Sequence, residues 1–163
     1  MQKKRKIAVV TANRADYSRI KTTLDALKAR TDVELQLIVM GSHLLDKYGH
    51  TVDEIIYDGF PIAYRIHMEF AGENLASMTQ SVGLAILELA NFFENDRPDI
   101  ALVPVDRYES LAMATAASLM NIPVAHTQGG EVTGTIDESI RHAITKLAHI
   151  HFPSTATSAE RII

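Results

Sequence analysis

Apolar residues in this chain fall into short β-branched runs separated by longer segments with helical spacing. The first run, Ile7-Ala-Val-Val-Thr-Ala12, breaks at Asn13-Arg14-Ala15-Asp16, and an amphipathic segment follows from Tyr17 to Arg30. A short run with no polar alternation predicts a strand covered on both faces, as in a parallel sheet. Glu34 to Met40 predicts a second strand, closed by Gly41-Ser42-His43, and Val52 to Ile56 predicts a short helix with Thr51 at its cap. Ile62 to His67 alternates, which predicts a third strand near a sheet edge.

Glu69 to Asn74 reads as a polar, glycine-containing loop. Beyond it Leu75, Met78, Val82, Leu84, Ala85, Leu87, Leu89, Phe92 and Phe93 recur at helical spacing, predicting a long helix to Glu94 that ends before Arg97-Pro98. Asp99 to Val105 predicts a fourth strand with Asp106-Arg107 at its carboxyl end, and Tyr108 to Met120 a helix rich in small residues. Ile122 to Ala125 predicts the fifth strand and His149 to Phe152 the sixth, with a further helix from Thr157 to Ile163. Strands alternating with helices through short turns predict an α/β fold, a doubly wound Rossmann-like domain with a mostly parallel sheet over residues 1–163.

A chain of 163 residues, 47% hydrophobic and 22% charged, is long enough for one sizeable core. Its net charge of -4 offers no basic stripe to displace counterions from phosphates, which argues against nucleic acid as a partner. Lys3-Lys4-Arg5-Lys6 reads as a solvated lead-in to the first strand. The apolar run behind it is too short for a signal core or a membrane span, which implies a cytoplasmic protein. The absence of cysteine removes disulfides and thiolate chemistry.

In an open parallel sheet, ligands bind outside the carboxyl ends of the strands, where the strand order reverses. Three polar groups fall at such ends: residues 13–18, Asp106-Arg107, and the loop from Gln128 to Asp137. None contains the Gly-x-Gly-x-x-Gly of dinucleotide binders or a Walker lysine. Arg14 and Arg107 can instead pair with a phosphate or diphosphate. Asp106, Glu131 and Asp137 gather carboxylates around one crevice, as needed to move a carbon-bound proton or protonate a leaving group. On spacing alone, Asp106 is equally well read as a helix cap. Asp137 stands where a helix N-cap belongs, and Gly129, Gly130 and Gly134 permit positive φ and close approach of a ligand to the main chain. Of seven histidines, only His149 and His151 form a close pair, on a strand, and they read as structural rather than as metal ligands.

Residues 13–18, Gly41-Ser-His-Leu-Leu-Asp-Lys-Tyr-Gly49, Asp106-Arg107 and above all the stretch from Gly129 to His149 resemble the amino-terminal half of the hydrolysing UDP-N-acetylglucosamine 2-epimerases. That family includes bacterial relatives acting on UDP-diacetylbacillosamine. The resemblance implies two Rossmann-like domains in a GT-B-type arrangement, with the active site between them and much of the UDP contact on a second, carboxy-terminal domain that this chain lacks. It implies loss of UDP with removal of the proton at sugar C2, then addition of water to release the 2-epimeric sugar, N-acetylmannosamine, a sialic acid precursor. No metal or nicotinamide is implied, the isolated chain is expected to be inactive, and the full-length protein is expected to be a homo-oligomer, dimer or tetramer.

By the same resemblance Asp106 and Asp137 match acids of the acid/base chemistry, Arg14, Ser18 and Arg107 lie near the nucleotide, and His43 belongs to a motif lining the cleft. Gln128 departs from the pattern, since many relatives carry glutamate there and an amide cannot exchange a proton as a carboxylate does. Either Glu131, Asp106 and Asp137 carry the chemistry without it, or catalysis is impaired. Two other readings follow: a non-catalytic nucleotide-sugar binding module, suggested by Gln128, and a retaining glycosyltransferase relative, against which the carboxylate-rich loop argues.

Overall fold

Alternation along the first strand sorts its side chains onto two faces. Ala8, Val10 and Ala12 join one buried cluster and Val9 joins another, as a period of two requires. The computed structural model describes residues 3–70 and 74–163. Its strands are β1 (Arg5–Thr11), β2 (Val33–Met40), β3 (Ile62–Ile66), β4 (Ile100–Val103), β5 (Val124–Thr127) and β6 (Ile150–Phe152). All pair in parallel in the order β3-β2-β1-β4-β5-β6, so the order reverses between β1 and β4. The doubly wound α/β fold expected from the sequence is the observed one, and β3 is an edge strand as its alternation predicts.

Helices α1 (Arg14–Lys28) and α2 (Val52–Tyr57) cover one face, where Tyr17, Ile20, Leu24, Val52 and Ile55 pack on Val9, Leu37 and Val39. Helices α3 (Leu75–Asn95), α4 (Tyr108–Leu119) and α5 (Ile136–Leu147) cover the other, with Leu89, Phe93, Met113 and Ile144 on Val10, Ile38 and Val103. Alanines 112, 114, 116 and 117 are buried in α4 and let it sit closely between α3 and α5. The chain closes with α6 (Ala156–Ile162).

Helix ends account for most boundary differences. The turn expected at residues 13–16 is the first turn of α1: Asn13 is its N-cap, with Oδ1 accepting from the N–H groups of Ala15 and Asp16 at 2.8 and 3.0 Å. Asp137 is not an N-cap; Thr135 holds that place in extended backbone and Asp137 lies in the first turn of α5. Thr51 holds the N-cap position of α2 without a capping bond, because its hydroxyl is engaged by His43. Residues 71–73 of the loop expected before α3 lie outside the described residues, and the helix itself opens with a reciprocal Asn74–Ser77 capping box.

The fifth strand begins two residues later than its apolar run because Ile122 belongs to the end of α4. The N–H of Asn121 donates to Ser118 O at 3.1 Å and that of Ile122 to Ala117 O at 2.9 Å, a Schellman closure with Asn121 at φ 53°. Asn121→Gly is expected to stabilise the fold by about 0.5 kcal/mol, and Asn121→Val to destabilise it by about 1 kcal/mol or more, measured by urea unfolding.

Candidate active site

Above the reversal, α1 and α4 start side by side from the carboxyl ends of β1 and β4. Asn13, Arg14, Ala15, Ser42, Arg107 and Tyr108 line a cavity of about 410 Å³ there. Two helix N-termini therefore point backbone N–H groups and dipole ends toward one polar opening that also carries two guanidinium groups, a setting that favours an anion. A larger, more apolar cavity of about 670 Å³ shares Tyr48, Glu69 and Tyr108 with it.

Each arginine is placed differently. Arg14 is largely exposed, with its Nε 3.4 Å from Glu54 at the cavity mouth. Arg107 is the N-cap residue of α4, which removes Asp106 from the capping role. Its guanidinium forks onto Glu109, with Nε at 3.1 Å from Oε2 and Nη2 at 2.9 Å from Oε1. Glu109 is fully buried, and burial raises its pKa. Asp16, bonded by Asn13 Nδ2 at 2.7 Å, is pushed up to about 6 by burial and then by the nearby Glu109 charge. This buried acid pair beneath the rim is absent from the sequence reading, where Asp16 is a turn residue and Glu109 is not singled out.

The second half of the site is tied to α5. Arg141, whose side chain is 3% exposed, pairs with Asp106 and donates from Nη1 to the Glu131 carbonyl at 2.6 Å. Asp137 precedes Arg141 by four residues, which puts both on one face of α5. Glu131 accepts from Ser154 Oγ at 2.8 Å. Glu138 accepts from the N–H groups of Thr133 and Gly134 at 2.6 and 2.5 Å, which folds the loop back onto its helix and lowers the carboxyl pKa. Arg141 went unnoticed among the motif's residues, because a basic side chain one turn after an acid is ordinary on the solvent face of a helix.

Backbone strain concentrates at the same strand ends. Val105, just before Asp106, has φ 55°, and Gln128, just after β5, has φ 62°. Buried His126 holds the first: its Nε2 donates to the Val105 carbonyl at 2.8 Å, and its Nδ1 lies 3.3 Å from Thr145 Oγ1 on α5. The loop glycines are set by backbone conformation and by packing. Of Gly129, Gly130 and Gly134, the last two take positive φ, at 80° and 72°. A Cβ on Gly130 would stand 2.2 Å from the Ser158 carbonyl, and one on Gly129 would stand 2.9 Å from Thr145 Oγ1. Gly129 and Gly130 are thus buried against α5 and α6, which fixes them for packing rather than for ligand approach on that side. The Ser18 hydroxyl donates to the Arg14 carbonyl at 2.8 Å, a helix-internal bond. His43 lies beneath the rim, fully buried, with Nε2 3.0 Å from Thr11 Oγ1 and Nδ1 2.7 Å from Thr51 Oγ1.

The family described as UDP-N-acetylglucosamine 2-epimerase matches residues 25–163. The chain belongs to that family. It is 44% identical over 159 residues to UDP-N,N'-diacetylbacillosamine 2-epimerase (hydrolyzing) of Legionella pneumophila, covering 98% of this chain and 42% of that protein. It is 33% identical over 159 residues to UDP-N-acetylglucosamine 2-epimerase of Neisseria meningitidis, covering 98% of this chain and 41% of that protein. The chain therefore spans about 42% of the length of the curated relatives it matches. The crystal structure of UDP-GlcNAc 2-epimerase from Neisseria meningitidis bound to UDP-GlcNAc matches with TM-score 0.84 and 19% identity, over 96% of this chain and 42% of that one. Acinetobacter baumannii MurG matches with TM-score 0.70 and 11% identity. At those identities the likeness establishes fold alone, that of the amino-terminal half of a two-domain, GT-B-type architecture. Among the described residues, no helix is long and apolar enough to cross a membrane.

In this epimerase-family chain the Arg141–Asp106 pair joins two strand ends, so Arg141→Met leaves Asp106 without its counter-ion and the loop carbonyl without its donor. A loss on the order of 3 kcal/mol in urea unfolding is expected. Burial also holds the His43 imidazole down at about 4, below its ordinary value of 6.5. The unfolded chain then takes this proton first, so the contribution is intact above pH 6.5 and is lost as pH falls toward 4. Asp16 acts in the opposite sense between pH 6 and 4, because its raised carboxyl takes a proton first in the folded chain. The His43 effect therefore emerges as a difference: between pH 7 and 4, wild type should lose about 3 kcal/mol relative to His43→Gln in parallel urea titrations.

Proposed function

We propose that the full-length protein containing this chain is a hydrolysing UDP-N-acetylglucosamine 2-epimerase, to which this chain contributes the acids and the diphosphate-side arginines. The observation that carries this reading is the polar cavity between β1 and β4, with the α1 and α4 N-termini and Arg14 and Arg107 on its walls, beside Asp106 held by Arg141. A sugar diphosphate presents its anion to the first group and its ring carbons to the second. One carboxylate among Asp106, Glu131 and Asp137 takes the C2 proton as the C1–O bond breaks and UDP leaves with that electron pair. The C1–C2 double bond so formed then takes water: its oxygen bonds C1 while a proton is delivered to C2 from the opposite face, and the 2-epimeric free sugar is released. Gln128 lies outside these transfers, since an amide holds no exchangeable acid proton.

A second substrate, UDP-diacetylbacillosamine, is favoured by the 44% identity to the Legionella pneumophila protein. The isolated chain is inactive on this reading, because the second domain brings most UDP contacts and excludes water on closure; the full-length protein works in the cytoplasm as a homo-oligomer.

Product analysis of the full-length protein with each UDP-sugar tests the proposal. Wild type should release UDP with the 2-epimeric sugar, and Asp106→Asn should lower kcat by about 10²–10⁴-fold while retaining UDP-sugar binding. If wild type and variant both bind the UDP-sugar and neither releases UDP, the non-catalytic binding module is the correct reading.

A further inference from the structure

A fully buried carboxylate is costly unless something nearby needs its charge. Glu109 has no solvent exposure. Its oxygens sit under the reversal point, where a Cβ on Gly41 would come within 3.2 Å of Oε1 and 2.9 Å of the Ala12 carbonyl. It receives the Arg107 fork through Nε at 3.3 and 3.1 Å and Nη2 at 2.9 Å. The face of the same guanidinium lies 5.3 Å from the centre of the Tyr108 ring. One edge and one face of the guanidinium are thereby fixed. Of its five N–H groups, those on Nη1 and the second on Nη2 are left for a ligand at the cavity that Arg107 lines.

We propose that Glu109 is a positioning residue for anion binding: its buried carboxylate holds the Arg107 guanidinium so that the free edge meets the diphosphate of the nucleotide sugar. This rests on the function proposed above. Asp16 completes the charge arrangement, since burial and the Glu109 charge push its carboxyl up to about 6 and let a proton relieve the repulsion between the two acids. A guanidinium already paired on its inner edge keeps its charge and loses less rotamer freedom when it binds phosphate.

The test is UDP affinity of the full-length protein by calorimetry, with turnover of the UDP-sugar and thermal unfolding measured alongside. Glu109→Gln and Arg107→Ala should each weaken UDP binding by about tenfold, and the double variant should bind no worse than Arg107→Ala alone. If Glu109→Gln weakens binding as much in the Arg107→Ala background as in wild type, the carboxylate acts on the fold and the proposal is overturned. Arg107→Lys leaves Glu109 itself in place and provides a second variant at the rim. Lysine keeps the charge but cannot take the fork, so it should bind like Arg107→Ala, and wild-type affinity in Arg107→Lys overturns the proposal. Where wild type turns over the UDP-sugar but Arg107→Ala keeps full UDP affinity, positioning falls and the epimerase reading stands. Where wild type neither binds nor turns over the UDP-sugar, both fall.

Discussion

Two adjacent parallel strands whose helices leave toward opposite faces cannot close the gap above their carboxyl ends. That constraint acts between β1 and β4, where the order β3-β2-β1-β4-β5-β6 reverses. Helix α1 turns toward one core and α4 toward the other, so their first turns diverge and leave a polar cavity between them. The cavity thus follows from topology, and the side chains on its walls give it chemistry. Asn13 opens the α1 helix by capping its first turn, and Arg107 enters α4 from extended backbone at φ -82°, which delivers both guanidinium-bearing segments to the same rim.

The neighbouring strand ends are held by a different device. At β4 and β5 the backbone enters left-handed conformations at Val105 and Gln128, costly for a β-branched residue above all. Such conformations persist only where surrounding bonds over-determine them. Here His126 takes the Val105 carbonyl, Phe152 O accepts the Gln128 N–H, and Arg141 gathers Asp106 and the Glu131 carbonyl. The kink at Val105 is what turns the chain from strand into the Asp106-Arg107 pair, aiming consecutive residues at separate partners: Asp106 to Arg141 on α5, and Arg107 to Glu109 on its own helix.

What was legible in the sequence was what depends on period and on turn chemistry. Apolar runs, and alternation at β3, located the six strands, and their regular interleaving with helices decided parallel over antiparallel. The three polar strand ends were legible for the same reason, each following directly from a buried run. What escaped was set by contacts distant in sequence. Nothing local distinguishes Glu109 from any first-turn acid until β1 and the Gly41 turn close over it. Arg141 looks like a solvent residue on an amphipathic helix until Asp106, 35 residues earlier, is brought against it. The glycine pair at 129 and 130 was visible, but composition cannot say whether a missing Cβ makes room for a ligand or for a neighbouring backbone; the Ser158 carbonyl decides for the backbone at Gly130.

Charge is divided across the rim in a way that bears on Gln128. Arg14, Arg107 and two helix N-termini line the β1–β4 cavity above the buried Asp16 and Glu109, whereas an acidic group at the β4 and β5 ends holds Asp106 on Arg141 and Glu131 on Ser154. Arg141 is the counter-charge within the acidic group, and it is spent on Asp106 and the loop carbonyl. A further carboxylate at position 128 would stand on backbone already strained at φ 62°. An amide occupies the same volume, keeps hydrogen-bonding capacity and adds no charge. On the proposed function, this arrangement leaves proton transfer to the three carboxylates and gives the residue at 128 a neutral part beside them.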